Sequence, residues 1–269
     1  MLEQRGFTLV ELIMVIVLLG IVATISTQFV ALSTRGAIDL GDRQQRALQG
    51  VVLSEQITRE LREAFPLSIR AEKPGCLEWL PILGGTIYES LPFDEEKITF
   101  PITPFPDDAL DAINGQDARL VVYGYSSSKG QLYNDGSAPG PVSPKISSIS
   151  TGGEVTLESA HRFTQSSPQK RIYAIGTPIS ICQNQNGVSK RLIRFSAYSG
   201  DAVQPSFGDL SGASSGVMSA NLFPDSLRFT VTPASLQRSA LVNFAFELVA
   251  PNSDERTRVS QEVQIRNVP

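Results

Sequence analysis

Few side chains in this sequence have types and spacing that suggest chemistry. Cys76 and Cys182 are its only cysteines and His161 its only histidine. Zinc sites draw their ligands mainly from these two residue types, so a zinc set is missing. A Ser-His-Asp hydrolase needs a histidine held between a nucleophile and an acid. His161 lies in the polar stretch ESAHRFTQSS, with no G-x-S-x-G elbow nearby, and reads as a surface residue. Two distant cysteines in an exported domain more often pair than not. A Cys76–Cys182 bond would close a loop of roughly a hundred residues, for which the chain-entropy account gives about 4–5 kcal/mol. Two buried free thiols are the alternative. Asp107, Asp111 and Asn114 in DDALDAING bring oxygen ligands close together, as calcium requires. They miss the EF-hand register and read more simply as a short helix or turn. Asp94, Glu95 and Glu96 read as a solvated turn, and Trp79 in CLEWLPI as a core aromatic. Gly84–Gly85 and Gly152–Gly153 follow no phosphate-loop spacing.

Glu11 is the informative acid. The stretch from Phe7 to Leu32 carries no other charge and no proline. It exceeds the ~20 apolar residues that cross a hydrocarbon core as a helix. A carboxylate in such a segment costs about 2.5–3.5 kcal/mol on insertion scales at mid-helix, and less near an end. Its functional reading is a partner charge. A cut after Gly6 would leave a new amine on Phe7, one helical turn from Glu11, to be met in cis or by a neighbouring subunit. The bland reading is a shallow carboxylate that reaches the interface or stays protonated. The segment is unlike an ordinary secretory signal, whose small-residue cleavage site follows the apolar core. Here Gly6 precedes the apolar run, behind the short polar leader MLEQRG, and Arg5 favours a cytoplasmic leader.

The run RGFTLVELIMVIVLLGIVA resembles the prepilin-type N-terminal motif of type IV pilins and type II secretion pseudopilins. That resemblance implies cleavage by a prepilin peptidase after Gly6, methylation of the new terminus at Phe7, and Glu11 as the acid that recruits the next subunit. It implies a bacterial inner-membrane protein, single-pass, with its C-terminal domain in the periplasm before entry into a pilus or pseudopilus. Its partners would be inner-membrane lipid, the prepilin peptidase, and other minor and major pilin subunits. No catalytic residue, metal or cofactor is implied. Many major pilins carry a proline further along this helix; here there are only Gly20, Gly36, Gly41 and Gly50. The run RQQRALQGVVLSEQITRELREAFPLSIR, then GCLEWLPI and the terminal EVQIRNVP, resemble minor pilins of the mannose-sensitive haemagglutinin pilus system, the MshO type. PilW-type minor pilins and J-type pseudopilins are related. The implied role is a low-abundance subunit in a complex that initiates a filament, at its tip.

The elements that would carry these residues are legible in outline. Helical patterning continues past the membrane-length segment, with Leu40, Ala47, Gly50, Leu53, Ile57, Leu61 and Ala64 on one face. Pro66 ends the helix by about residue 64. Beyond it the chain reads as mainly β. Candidate strands are Leu77–Ile82, Lys97–Phe100, Arg119–Tyr125, Arg171–Ile175, Ile179–Gln183, Leu192–Tyr198, Leu227–Thr232, Leu241–Val249 and Arg258–Ile265. Val242, Phe244, Phe246 and Leu248 share one face of a strand, and Val259, Gln261, Val263 and Ile265 one face of another, as in antiparallel sheets with one buried side. Ser126–Gly153, rich in Ser, Gly and Pro, reads as a surface loop, as do Pro101–Gly115 and Gln204–Gly216. The expected fold is α+β and pilin-like: one long N-terminal helix, then an antiparallel β domain. Expected boundaries are a leader at 1–6, a membrane or filament-core half-helix at 7–32, a soluble half-helix at 33–65 and a β-rich domain at 66–269. The formal net charge of −4 and the lack of a clustered basic sequence argue against a nucleic-acid partner.

Overall fold

The computed structural model describes residues 8–125, 127–134, 136, 138–250 and 254–267. Helix α1 spans Leu9–Arg62 without interruption. The chain divides into two units, Met1–Leu48 and Gln49–Pro269, and α1 crosses the division. Thirteen strands and two short helices are described after it. They are β1 (Cys76–Trp79), β2 (Ile82–Ile87), β3 (Lys97–Pro101), α2 (Asp107–Asn114), β4 (Arg119–Val121) and α3 (Lys129–Leu132). Then follow β5 (Val142–Ile149), β6 (Glu154–His161), β7 (Arg171–Ile175), β8 (Ile179–Gln183) and β9 (Leu192–Ser196). The chain closes with β10 (Ser214–Ser219), β11 (Arg228–Thr232), β12 (Ala240–Val249) and β13 (Arg256–Ile265). The fold is α+β, a long N-terminal helix followed by antiparallel sheets.

Three sheets result, with strand orders β1-β8-β9-β10, β11-β12-β13 and β2-β7-β4-β5-β6-β3. Alternation in β12 buries Ala240, Val242, Phe244, Phe246 and Leu248 on one face. That face meets Leu53, Ile57 and Leu61 of α1 and Leu77 and Trp79 of β1 in the largest core cluster. Each such aliphatic side chain contributes about 1.5–3 kcal/mol when fully buried. The buried apolar face of α1 starts at Gly50; Leu40 and Ala47, expected on it, are exposed. A second core lies beneath the six-stranded sheet, where Leu110 and Ile113 of α2 meet Phe100, Val155, Ile172 and Ala174. Gly84 lets α2 come close: a Cβ there would lie 2.8 Å from that of Ala109.

The structure corrects several expectations. The segment read as one strand over 77–82 is two strands, broken where Leu80 and Pro81 leave the ladder. There the Phe65 N–H donates to the Leu80 carbonyl (2.8 Å) and the Ile82 N–H to the Glu63 carbonyl (2.8 Å), so the break docks onto the end of α1. The strand read as 119–125 stops at Val121, and Tyr123 adopts φ 64°, outside extended geometry. The supposed loop of 126–153 contains β5. Pro144 sits in a register irregularity, where Val121 pairs Val142 but Arg119 pairs Lys145. The Ser143 hydroxyl accepts the Leu120 N–H there (2.9 Å), filling a gap in the ladder. Strand β6 buries Val155, Leu157 and His161 although its sequence looks polar. His161 is therefore buried rather than on the surface. Its Nδ1 lies 3.2 Å from the Gly136 carbonyl and its Nε2 3.3 Å from that of Gly140, with its ring edge-on to Phe163. Burial pulls its pKa down, against the two carbonyls, which favour the charged ring.

Candidate functional site

Thr8 precedes the first turn of α1, and the Glu11 N–H donates to its Oγ1 at 3.3 Å. The Thr8 hydroxyl lies 3.5 Å from Glu11 Oε2. Thr and Glu three residues apart are a helix-start signature, and a carboxylate in the first turn complements the positive helix end. Local capping thus accounts for part of why this acid is tolerated. One weak hydroxyl contact uses little of a carboxylate's capacity to accept hydrogen bonds, which leaves room for a cationic partner. Gly6 and Phe7 lie outside the described residues.

Around Glu11 every side chain from Leu9 to Gly41 is exposed, including Leu12, Ile13, Leu18, Leu19, Val22 and Phe29. This helix is long and apolar enough to cross a membrane. An apolar surface of that extent marks a face meant for lipid or for other helices. Membrane anchoring and incorporation into a pilus both fit it. Thr24 and Thr27 satisfy their hydroxyls on carbonyls of their own helix, Thr24 on Ile21 (2.8 Å) and Thr27 on Thr24 (3.0 Å).

The cysteines stand directly opposite each other on β1 and β8, Cα atoms 4.2 Å apart, the closer kind of antiparallel pair. They form a disulfide, buried beside Phe195 and Leu210. Asp107, Asp111 and Asn114 fall on α2, which buries Ala109, Leu110 and Ile113 instead. Among the described residues no His, Cys, Asp or Glu cluster suits a metal ion. Trp79 is fully buried in the main core.

Two features had no sequence signal of their own. The first is a buried ion pair. Arg70 Nε donates to Glu78 Oε2 at 2.5 Å, with both side chains fully inaccessible. Its other nitrogens donate to the carbonyls of Ala202 (2.9 Å) and Asp201 (2.7 Å), and its guanidinium lies 3.7 Å above the Tyr133 ring. Tyr198 donates to Glu78 Oε1 at 3.0 Å. Burial raises the Glu78 pKa, opposed by Arg70. Burial likewise raises the pKa of Tyr198, and the Glu78 charge adds to it. Charge at positions 70 and 78 is visible in the sequence; their pairing across a β-bridge is not.

The second feature is a cavity of about 460 Å³, with Tyr133, Tyr198, Leu80 and Ile175 among its walls and Asp117, Arg119 and Lys145 contributing charge. Lys145 Nζ pairs with Asp117 Oδ2 at 2.6 Å. Ala197, also in its wall, takes φ 56°, a conformation rarely held by a side-chain-bearing residue. Volume and mixed lining suit a small polar ligand.

Residues 1–27 match a family described as the prokaryotic N-terminal methylation motif. No curated protein and no solved structure matches the chain significantly. The motif implies processing by a prepilin peptidase and assembly with other pilins, and suggests a structural subunit. With its prepilin-type start on a long exposed helix and antiparallel sheets behind it, the chain is similar to type IV pilin-like proteins.

Proposed function

We propose that this chain is a minor pilin that helps initiate a type IV pilus of the mannose-sensitive haemagglutinin kind, as an MshO-type subunit in a tip complex. It enters the inner membrane through residues 7–32, with the domain from residue 66 onward in the periplasm. Prepilin peptidase removes residues 1–6 after Gly6, and Phe7 becomes the methylated terminus. The observation that carries this reading is the lone carboxylate in the exposed, otherwise uncharged first half of α1: between Leu9 and Thr34 only Glu11 bears charge.

The mechanism is charge pairing in lipid. Glu11 of one subunit meets the Phe7 amine of its neighbour, which sets the register before the apolar faces pack. A pair buried in low dielectric matters more than one at a surface, and stranding one partner is strongly unfavourable. Glu11→Ala should leave membrane insertion intact. It should lower co-purification with other pilin subunits, and filament number, by about tenfold or more. Normal filaments and normal co-purification in that variant would remove the mechanism. A minor pseudopilin of a type II secretion system would use the same device, and a pseudopilus in place of a pilus in the same assay would mark that role.

The cavity favours a second reading, a pilus-mounted adhesin that binds a glycan. It predicts saturable binding of neutral oligosaccharides by the purified full chain, lost when Ser199→Trp fills the cavity. Unchanged binding in that variant, or none to any glycan tested, would count against it.

A further inference from the structure

A cleft of about 440 Å³ gathers Arg171, Arg238 and Arg266, with Gln169, Gln237 and Ser239 between them. The arginines come from three separate places in the chain. Arg171 opens β7 opposite Ile87, Arg238 lies in the turn between β11 and β12, and Arg266 directly follows β13. The fold therefore assembles a positive site that no local run of sequence foreshadows. No described residue lining the cleft is acidic, and no described carboxylate pairs with any of the three guanidinium groups. The chain as a whole is acidic, with 27 Asp and Glu against 23 Lys and Arg. Three like charges around one cleft repel one another, and in an acidic protein their focused field selects an anion.

The cleft is also held in shape. Asn267 lines it, and its Nδ2 donates to the Ser235 carbonyl at 2.7 Å. The Tyr125 hydroxyl donates to Asn267 Oδ1. Ser235 and Arg238 face each other across a tight antiparallel bridge, and Arg238 spends one donor on the Pro233 carbonyl at 3.3 Å. The turn carrying Arg238 is thus tied to the segment carrying Arg266. Among the described residues no carboxylate pairs with Arg171 or Arg266, and the neutral Gln and Ser side chains add further donors.

We propose that this cleft binds a phosphate group, either as the free ion or as the headgroup of an anionic lipid. A single carboxylate is satisfied by one guanidinium fork. A tetrahedral phosphate offers oxygens in several directions to forks arriving from three elements. Leu236, 58% exposed on the same turn, gives an apolar contact to whatever carries the group.

The test uses the full chain in a neutral detergent, titrated calorimetrically at low salt. One arm is inorganic phosphate; the other is dihexanoyl phosphatidylglycerol, with dihexanoyl phosphatidylcholine as control. Saturable binding is expected, weakened by added salt. It should weaken about tenfold or more in Arg238→Gln/Arg266→Gln, by analogy with other charge-assisted contacts. Arg238→Lys should lose less than Arg238→Gln, because charge survives while the fork is lost. Binding in both arms identifies phosphate itself as the ligand; binding of the glycerol lipid alone identifies the headgroup. If neither probe binds, or the double variant binds as the parent does, the site is refuted. Should the double variant unfold, Arg266→Gln alone carries the same comparison, since Arg266 is exposed and outside the ladder.

Discussion

Arg70 and Glu78 show how much a single residue can cost here. Both are fully buried, and each ends among hydrogen-bond partners: the Asp201 and Ala202 carbonyls for Arg70, Tyr198 for Glu78. Desolvation raises the Glu78 pKa and Arg70 opposes that rise, so the pair exists against a burial penalty. A buried pair need not add net stability, but removing one partner strands the other charge. Glu78→Gln should therefore destabilise the protein by about 3–5 kcal/mol in denaturant unfolding, and Arg70→Met by a similar amount. Replacing both with apolar residues should cost less than either alone. Single losses under about 1 kcal/mol would mean that water reaches the pair. Reading this pair from sequence was out of reach. Arg70 and Glu78 are eight apart with a turn between them, and only the bridge they form across that turn brings them together.

At the scale of elements, α1 and β12 were legible because their patterning is strong. Val242, Phe244, Phe246 and Leu248 alternate without a break, and all four are buried as that alternation demands. Strands β5 and β6 were not legible. Proline and serine disguise β5, and in β6 the Glu158–Ser159 pair breaks the apolar alternation. In both cases hydrogen bonds from side chains and neighbouring strands override weak local preference. The helix face was read too far toward the N-terminus, since apolar spacing alone does not say where a helix meets its domain. Gly50 marks that place. A Cβ there would lie 2.7 Å from the Val259 Cγ2 and 3.6 Å from Leu248 Cδ1. Glycine costs about 1 kcal/mol against alanine inside a helix, so propensity alone predicts that Gly50→Ala stabilises. Overpacking against a stiff valine costs about 1–3 kcal/mol and should win. Thermal unfolding should show a lower midpoint for Gly50→Ala and no loss for Gly41→Ala, where nothing lies within 4 Å. A higher midpoint for Gly50→Ala would show that β13 yields easily. Arg194 Nε, 2.8 Å from Glu60 Oε2, adds a polar tie between the helix and β9.

For the whole molecule, two different physical jobs share one helix. Residues 9–41 expose apolar side chains that water cannot stabilise, whereas residues from Gly50 onward bury theirs in a protein core. The α+β architecture and the membrane-length segment followed from length, charge and periodicity. The Cys76–Cys182 disulfide was expected from the two cysteines, and the register of β1 against β8 sets them opposite each other, whereas the arginine cleft needed three distant segments brought together. The assembly mechanism rests on an amine that exists at Phe7 only once the leader is gone. Intact-mass and N-terminal fragment spectra of the chain, recovered from cells that express a prepilin peptidase, test this most directly. The account predicts a mature species that begins at N-methylated Phe7, and a Gly6→Ala variant that keeps Met1. A wild-type chain that retains residues 1–6 while its filaments assemble normally would contradict it.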